Sequence, residues 1–258
     1  MFENIRAIKS LGQHFLKDPH YLIKTADAAR IGPEDQVLEI GPGLGHLTAV
    51  LIQRARKVLA IELDNRLIPR LQGEFRGVSN FELLHADALE YDYASLEGRW
   101  KVVANLPYYI STPIIQKFIS HREKFITLTL MLQREVADRI AAPPGGKEYG
   151  RLTVMLAPWV RVEPLFDIGT GAFTPPPKVV STFFALHPHP APPFAIGDEA
   201  AFARVVSAAF QQRRKTLRNS LRGLLDAEGI ASAGVDPGAR PETLAPAQFA
   251  SLAAQLRT

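Results

Sequence analysis

The sequence predicts an α/β fold, a mainly parallel, doubly wound sheet with a small all-helical domain after it. Three features carry this prediction. Short apolar runs alternate with amphipathic stretches across residues 37–187, as strands joined by crossover helices do. One run, Val37-Leu38-Glu39-Ile40, opens directly onto Gly41-Pro42-Gly43-Leu44-Gly45, a strand-to-helix turn whose glycines let the backbone lie close to a ligand. Lastly, Pro188-His189-Pro190-Ala191-Pro192-Pro193 places four prolines in six positions, which forbids a helix interior and a central strand alike. This gives one domain over 1–188 and a second over 194–258.

Along the chain, a basic stretch over 6–18 holds Gly12-Gln13-His14-Phe15-Leu16. Pro19 then opens a helix over 20–29, with Tyr21, Leu22, Ala26 and Ala29 on its apolar face. The glycine turn leads into a helix over 44–54. A strand over 57–62 ends in Glu62, a helix covers 64–74, and a strand over 81–85 runs into Ala86-Asp87-Ala88. The next strand, 101–104, meets Asn105-Leu106-Pro107-Tyr108-Tyr109, and a helix over 111–119 follows. A strand over 126–133 and a helix over 134–141 come next, the helix stopped by Pro143-Pro144-Gly145-Gly146. A helix over 152–159 precedes two closing strands, 160–168 and 179–187. Beyond the prolines, Phe202, Val205, Val206, Ala209 and Phe210 recur at helical spacing, a core-facing stripe. The tail over 231–247 shows only interrupted helix.

Composition narrows the chemistry. Hydrophobic residues make up 47% of 258, enough for a substantial core, and there is no cysteine, so disulfides, thiolate metal sites and cysteine catalysis are excluded. The seven histidines form no metal-ligand pattern beside acids, which speaks against a zinc site. No apolar run reaches membrane-helix length, and the N-terminal residues show no secretory pattern, so the expectation is a cytoplasmic protein that does not engage membranes. A net charge of +4 permits an anionic partner.

Read from the residues, the glycine turn is either a ligand loop or a tight structural turn. Its third glycine comes too early for a dinucleotide fingerprint. The acid-x-Gly-x-Gly-x-Gly spacing resembles the first motif of S-adenosylmethionine-dependent methyltransferases, and on it Gly41, Gly43 and Gly45 would approach the cofactor. Glu62, at the end of the next strand, suits the vicinal hydroxyls of a ribose. Asp87, at a strand exit, either accepts from an adenine amino group or caps a turn.

Asn105-Leu106-Pro107-Tyr108 suggests the reaction. An exocyclic amine on a base is a poor nucleophile because its lone pair is delocalised into the ring. The Asn105 amide oxygen and the Leu106 carbonyl can accept its two N–H protons and turn the lone pair outward. Pro107 keeps Leu106 extended, and Tyr108 offers a ring for stacking. Phe173, in Phe173-Thr174-Pro175-Pro176-Pro177-Lys178-Val179-Val180-Ser181, either presents a second ring to an extruded base or is a buried Phe beside a rigid loop. Arg213, Arg214, Lys215, Arg218 and Arg222 lie in an acid-free stretch, with Arg214, Arg218 and Arg222 on one face of a single helix beside Leu217, Leu221 and Leu225. That face is either solvated or a contact for phosphates.

Taken in order, Gly12-Gln13-His14-Phe15-Leu16, the glycine loop, Glu62, Ala86-Asp87-Ala88, the Asn105 tetrad, Phe173-x-Pro-x-Pro-Lys178-Val-x-Ser181 and the Arg-Arg-Lys stretch resemble the ribosomal RNA adenine dimethyltransferases. The likeness is greatest to the bacterial small-subunit branch linked to kasugamycin sensitivity. The resemblance implies a Rossmann-like class I methyltransferase with a seven-stranded sheet. It implies N6,N6-dimethylation of two adjacent adenosines near the 3′ end of 16S rRNA within the small ribosomal subunit, with a role in its maturation. His14, Leu16, Gly41, Glu62, Asp87 and Asn105 would then line the S-adenosylmethionine site, and Tyr108 and Phe173 would flank the target adenine. A monomer without a metal is expected. Two alternatives remain, a large-subunit 23S rRNA adenine methyltransferase and an assembly factor that acts mainly by binding.

Overall fold

The computed structural model describes residues 7–8, 12–212 and 214–256, apart from the Tyr108 side chain. The chain forms two compact units. One comprises Met1–Ala137 and Val162–Pro188, and the other Asp138–Arg161 and His189–Thr258.

The first unit is built on the sheet. Its elements begin with β1 (Phe15–Leu16), α1 (Pro19–Ala28), β2 (Gln36–Ile40), α2 (His46–Ile52), β3 (Lys57–Glu62), α3 (Ile68–Glu74) and β4 (Phe81–His85). They continue with β5 (Trp100–Asn105), α4 (Ser111–Ser120), β6 (Phe125–Gln133) and α5 (Arg134–Ala141). After α6 (Arg151–Leu156) come β7 (Val160–Ile168), β8 (Phe173–Thr174) and β9 (Ser181–Pro188). The seven-stranded sheet has the order β4-β3-β2-β5-β6-β9-β7, and β1 and β8 form a separate pair. The pairs β2/β3, β2/β5, β3/β4 and β5/β6 are parallel, and β6/β9 is antiparallel. The central strands are apolar almost throughout because both sheet faces are covered: Val37, Leu38, Val58, Val102, Val103, Leu128 and Leu130 are inaccessible to solvent.

Strands predicted over 57–62, 81–85 and 160–168, and the helix over 134–141, match in their bounds. The helix after the glycine turn starts only at His46, because Gly45 caps it in the left-handed conformation (φ +86). The helix expected over 64–74 starts at Ile68, since the Asp64 side chain accepts the Arg66 N–H at 3.1 Å in a turn of its own. The short β1/β8 pair was not expected; two residues a side give no readable period.

The second unit contains α6, α7 (Glu199–Gln211), α8 (Leu217–Ser220), α9 (Ala227–Ser232) and α10 (Pro246–Ala253). Asp198 caps α7 by accepting from Ala200 N and Ala201 N. The predicted stripe faces inward: Phe202, Val205, Val206 and Ala209 are buried with Leu217, Leu221, Phe249 and Leu252.

Two expectations change here. The border at 188/194 assigned residues 138–161 to the sheet domain, yet they pack with the C-terminal helices. Tyr149 and Val154 join that apolar core, the Tyr149 hydroxyl donates to the Leu244 carbonyl at 2.7 Å, and Gly145 N donates to the Glu242 carbonyl at 2.7 Å. The second change is the arginine helix, which is broken. Helix α7 ends at Gln211, Gln212 is extended, and Arg214 has φ +81. The N–H groups of Leu217 and Arg218 bond to the carbonyls of Ala239 and Pro237 at 2.9 and 3.0 Å. They are thus unavailable to a helix arriving from α7. Arg214, Arg218 and Arg222 therefore do not share a helix face, and Arg213 lies outside the described residues. The apolar row does hold: Leu217, Leu221 and Leu225 are all buried.

Tyr149→Phe leaves the buried Leu244 carbonyl without its donor. It should lower unfolding stability by about 1–2 kcal/mol, read as a lower urea midpoint with an unchanged slope.

Candidate functional site

In parallel α/β sheets, ligands sit beyond the carboxyl ends of the strands, where the strand order reverses. Here that place lies between β2 and β5. Register aligns the ends: Ile40 is level with Ile61 and Ala104, Glu62 with His85, and Asn105 with Met131. A cavity opens above them, walled by residues 12–16, 41–44, 62–63 and 105–107 together with Tyr109 and Met131.

The glycines divide the work. Gly41 sits at φ +67, and no heavy atom lies within 4 Å of where its Cβ would be. The backbone therefore stays bare toward the cavity, and Gly41 N is anchored to the Ile61 carbonyl at 2.9 Å. A Cβ on Gly43 would meet the Phe15 ring at 3.0 Å. Gly45 does not line the cavity; its Cβ would strike Phe75 at 2.9 Å and Leu71 at 3.0 Å. It serves close packing of the loop against Phe75 and Leu71 rather than forming the cavity wall.

Glu62 is 5% exposed, and both its oxygens are held, Oε2 by Gly43 N at 3.1 Å and Oε1 by Asp64 N at 2.9 Å. Burial raises its pKa from the ordinary carboxylate value, against the pull of these backbone bonds. Glu39, at the end of β2, lies deeper. It also lines the cavity and accepts the Thr48 hydroxyl at 2.7 Å. Burial pushes its pKa up to about 8. The sequence marked Glu39 only as the acid preceding the glycines.

Asn105 ends β5, and its Nδ2 donates to the His14 carbonyl at 3.1 Å. Its Oδ1 and the Leu106 carbonyl take no hydrogen bond from any described residue. His14 and Leu16 reach the cavity on β1, which pairs antiparallel with β8, Phe15 level with Thr174 and Leu16 with Phe173. The His14 ring bonds through Nδ1 to the Pro175 carbonyl at 2.8 Å.

Other predicted residues fall elsewhere. Asp87 caps a turn, its Oδ1 accepting from Leu89 N at 2.8 Å, and it is not on the cavity wall. Its charge, after burial, helps raise the pKa of Tyr109 on the rim. Phe173 is 3% exposed and packed with Leu16, Leu22, Met131 and Phe183 in the core. It does not line the cavity. The Tyr108 side chain lies outside the described residues; the aromatic residues on the wall are Phe15 and Tyr109. Among the described residues no group of three His, Asp or Glu could hold a metal ion, and no helix is long and apolar enough to cross a membrane. Sequence reasoning also passed over Gln13, Leu63 and Met131 as wall residues; an isolated apolar or amide side chain carries no local signal of a cavity.

The strand order, the glycine loop at its reversal point and the cavity above it define a Rossmann-like methyltransferase. Residues 4–257 match the ribosomal RNA adenine dimethylase family, and the chain belongs to it. Curated relatives include ribosomal RNA small subunit methyltransferase A of Geobacter metallireducens, 45% identical, covering 97% of this chain and 95% of the relative. The protein of the same name from Pseudomonas putida is 46% identical over the same shares. Among solved structures, a dimethyladenosine transferase from Plasmodium falciparum matches with a TM-score of 0.78 and 29% identity, covering 93% of this chain and 96% of that one. The 23S rRNA methyltransferase ErmE matches with a TM-score of 0.75 and 29% identity, covering 94% and 99%.

The buried acid makes the protein pH-sensitive. Glu39 titrates near 4.5 when unfolded and near about 8 when folded. Between those values the unfolded chain has released a proton that the native chain retains, so stability falls as pH rises and levels off above the upper value. Glu62 adds a slope of the same sign. Glu39→Gln should flatten the decline, seen as a urea midpoint that gains on wild type between about pH 5 and about pH 8.

Proposed function

We propose that this chain transfers methyl groups from S-adenosylmethionine to N6 of two adjacent adenosines near the 3′ end of 16S rRNA in the small ribosomal subunit, dimethylating each. The observation that carries the chemistry is a pair of acceptors, Asn105 Oδ1 and the Leu106 carbonyl, that take no hydrogen bond from any described residue, beside a cavity at the reversal of strand order. Support for the substrate comes from relatives 45–46% identical over nearly their full length, which are named for the small subunit.

The cavity suits the donor. Gly41 leaves bare backbone, Glu62 retains lone pairs for ribose hydroxyls, and His14 and Leu16 close the near side. Bound there, S-adenosylmethionine would supply an electrophilic methyl carbon on a sulfonium, a good leaving group that needs no strong base. The chain's own part is positioning. In the first transfer Asn105 and Leu106 accept the two N–H groups of the target amine and direct its lone pair; in the second, one N–H remains for them to accept. Each transfer forms an N–C bond as the C–S bond breaks to a neutral thioether, and the alkylated nitrogen gives its proton to water. Pro107 keeps Leu106 extended beside Asn105. In this reading Tyr108 stacks on the target base, and Asp87 stands beside the donor's adenine. Arg213, Arg214, Lys215, Arg218 and Arg222 bind rRNA phosphates individually, without a common helix face. The enzyme works as a cytoplasmic monomer and contributes to subunit maturation.

The likeness to ErmE makes the RNA substrate the point to test. Methyl incorporation should occur into undermethylated small subunits and not into protein-free large-subunit RNA; the reverse preference would move the chain to the other branch. Asn105→Ala should lower turnover about 100-fold or more while subunit binding stays within about threefold. Normal methylation by that variant would remove the amide from the mechanism.

A further inference from the structure

The near wall of the cavity is fastened by a bond that the proposed chemistry does not use. Gln13 Nε2 donates to Asp64 Oδ2 at 2.8 Å, across 51 positions of chain, and Gln13 Oε1 accepts from Ile8 N at 2.8 Å. Both ends of this amide are therefore engaged. Asp64 is 4% exposed. Its carboxylate also accepts from Arg66 N at 3.1 Å, Nε at 2.9 Å and Nη2 at 2.6 Å. From its other side, the Asp64 backbone N–H holds Glu62 Oε1 at 2.9 Å, and Gly43 N holds Glu62 Oε2 at 3.1 Å.

The pairing with Arg66 is local, two residues away, and accounts for a turn. It does not account for Gln13. The series Gln13–Asp64–Glu62–Gly43 joins three chain segments, and Gln13, Glu62 and Gly43 all line the cavity while Asp64 stands behind them. A carboxylate accepting four donors is held in place, so the Glu62 carboxylate beside it and the segment leading into β1 are held together.

We propose that Gln13 and Asp64 are positioning residues for the methyl donor. Together they latch the β1 segment to the acid that receives the ribose, and neither touches a reacting atom. This rests on reading the cavity as the donor site. The loss on breaking the latch falls on donor affinity, because a wall that can shift must be ordered at binding.

The test is calorimetric titration of full-length protein with S-adenosylhomocysteine, which lacks the sulfonium charge and so does not respond to an added carboxylate by simple attraction. Gln13→Glu sets two carboxylates against each other at hydrogen-bond distance and should weaken binding about tenfold or more. Combining it with Asp64→Asn removes the repulsion between the two carboxylates, though the new amide N–H group also meets Arg66 Nη2, so the Kd should recover in part, by about threefold or more relative to the single variant. In turnover assays the Gln13→Glu loss should appear in the donor's KM rather than in kcat. Rescue by the double variant also shows that the single variant's loss is not a failure to fold. Unchanged binding by Gln13→Glu, a double variant no tighter than the single, or a loss confined to kcat would each overturn the latch. If wild type itself binds no S-adenosylhomocysteine, the donor reading fails and the latch falls with it.

Discussion

The Asn105 amide can face only one way. The His14 carbonyl beside it is an acceptor, so Nδ2 must turn toward it, at 3.1 Å, and Oδ1 must turn away. That single bond settles which end of the side chain meets a ligand. It also ties the end of β5 to the short β1 segment, so the reacting position and the near wall of the cavity are one construction. With the amide reversed, Asn105 would present donors to an amine and could not steer its lone pair.

The sheet makes that bond possible. Parallel pairing brings the ends of β2, β3, β5 and β6 level, and the turns that follow them supply bare glycine backbone, a buried carboxylate, an amide and an apolar floor. Each group is commonplace alone. Their value lies in convergence at a reversal point that the fold dictates. Depth then separates the two acids: Glu62 is held by backbone amides at the cavity wall, whereas Glu39, buried beneath the loop, stays largely protonated near neutral pH.

Much of this could be read from the chain. Continuous apolar runs gave strands such as Lys57–Glu62 and Phe81–His85 with their bounds, because burial on both faces leaves little choice of residue. Asn105, Glu62 and Gly41 came forward through their places at strand ends, His14 and Leu16 only through the family resemblance, and all line one cavity. What escaped was tertiary. Phe173 sits beside prolines that left open a ring offered to a base or a buried ring, and the structure buries it in the core. Basic spacing implied one arginine helix, but carbonyls at Pro237 and Ala239 claim the N–H groups that helix needed. Residues 138–161 follow the sheet in sequence and the helices in packing, because Tyr149 and Val154 find their apolar partners there. Gln13 and Asp64 meet over 51 positions, a distance at which local patterns are silent.

The central claim is that Asn105 directs its oxygen at the methyl-transfer position. A crystal structure of the full chain with S-adenosylhomocysteine tests this most directly. The sulfur should face Asn105 Oδ1 across the gap that an amine would fill, with Nδ2 still bonded to the His14 carbonyl. Product bound away from β5, or an Asn105 amide turned to offer Nδ2 to the cavity, would contradict it.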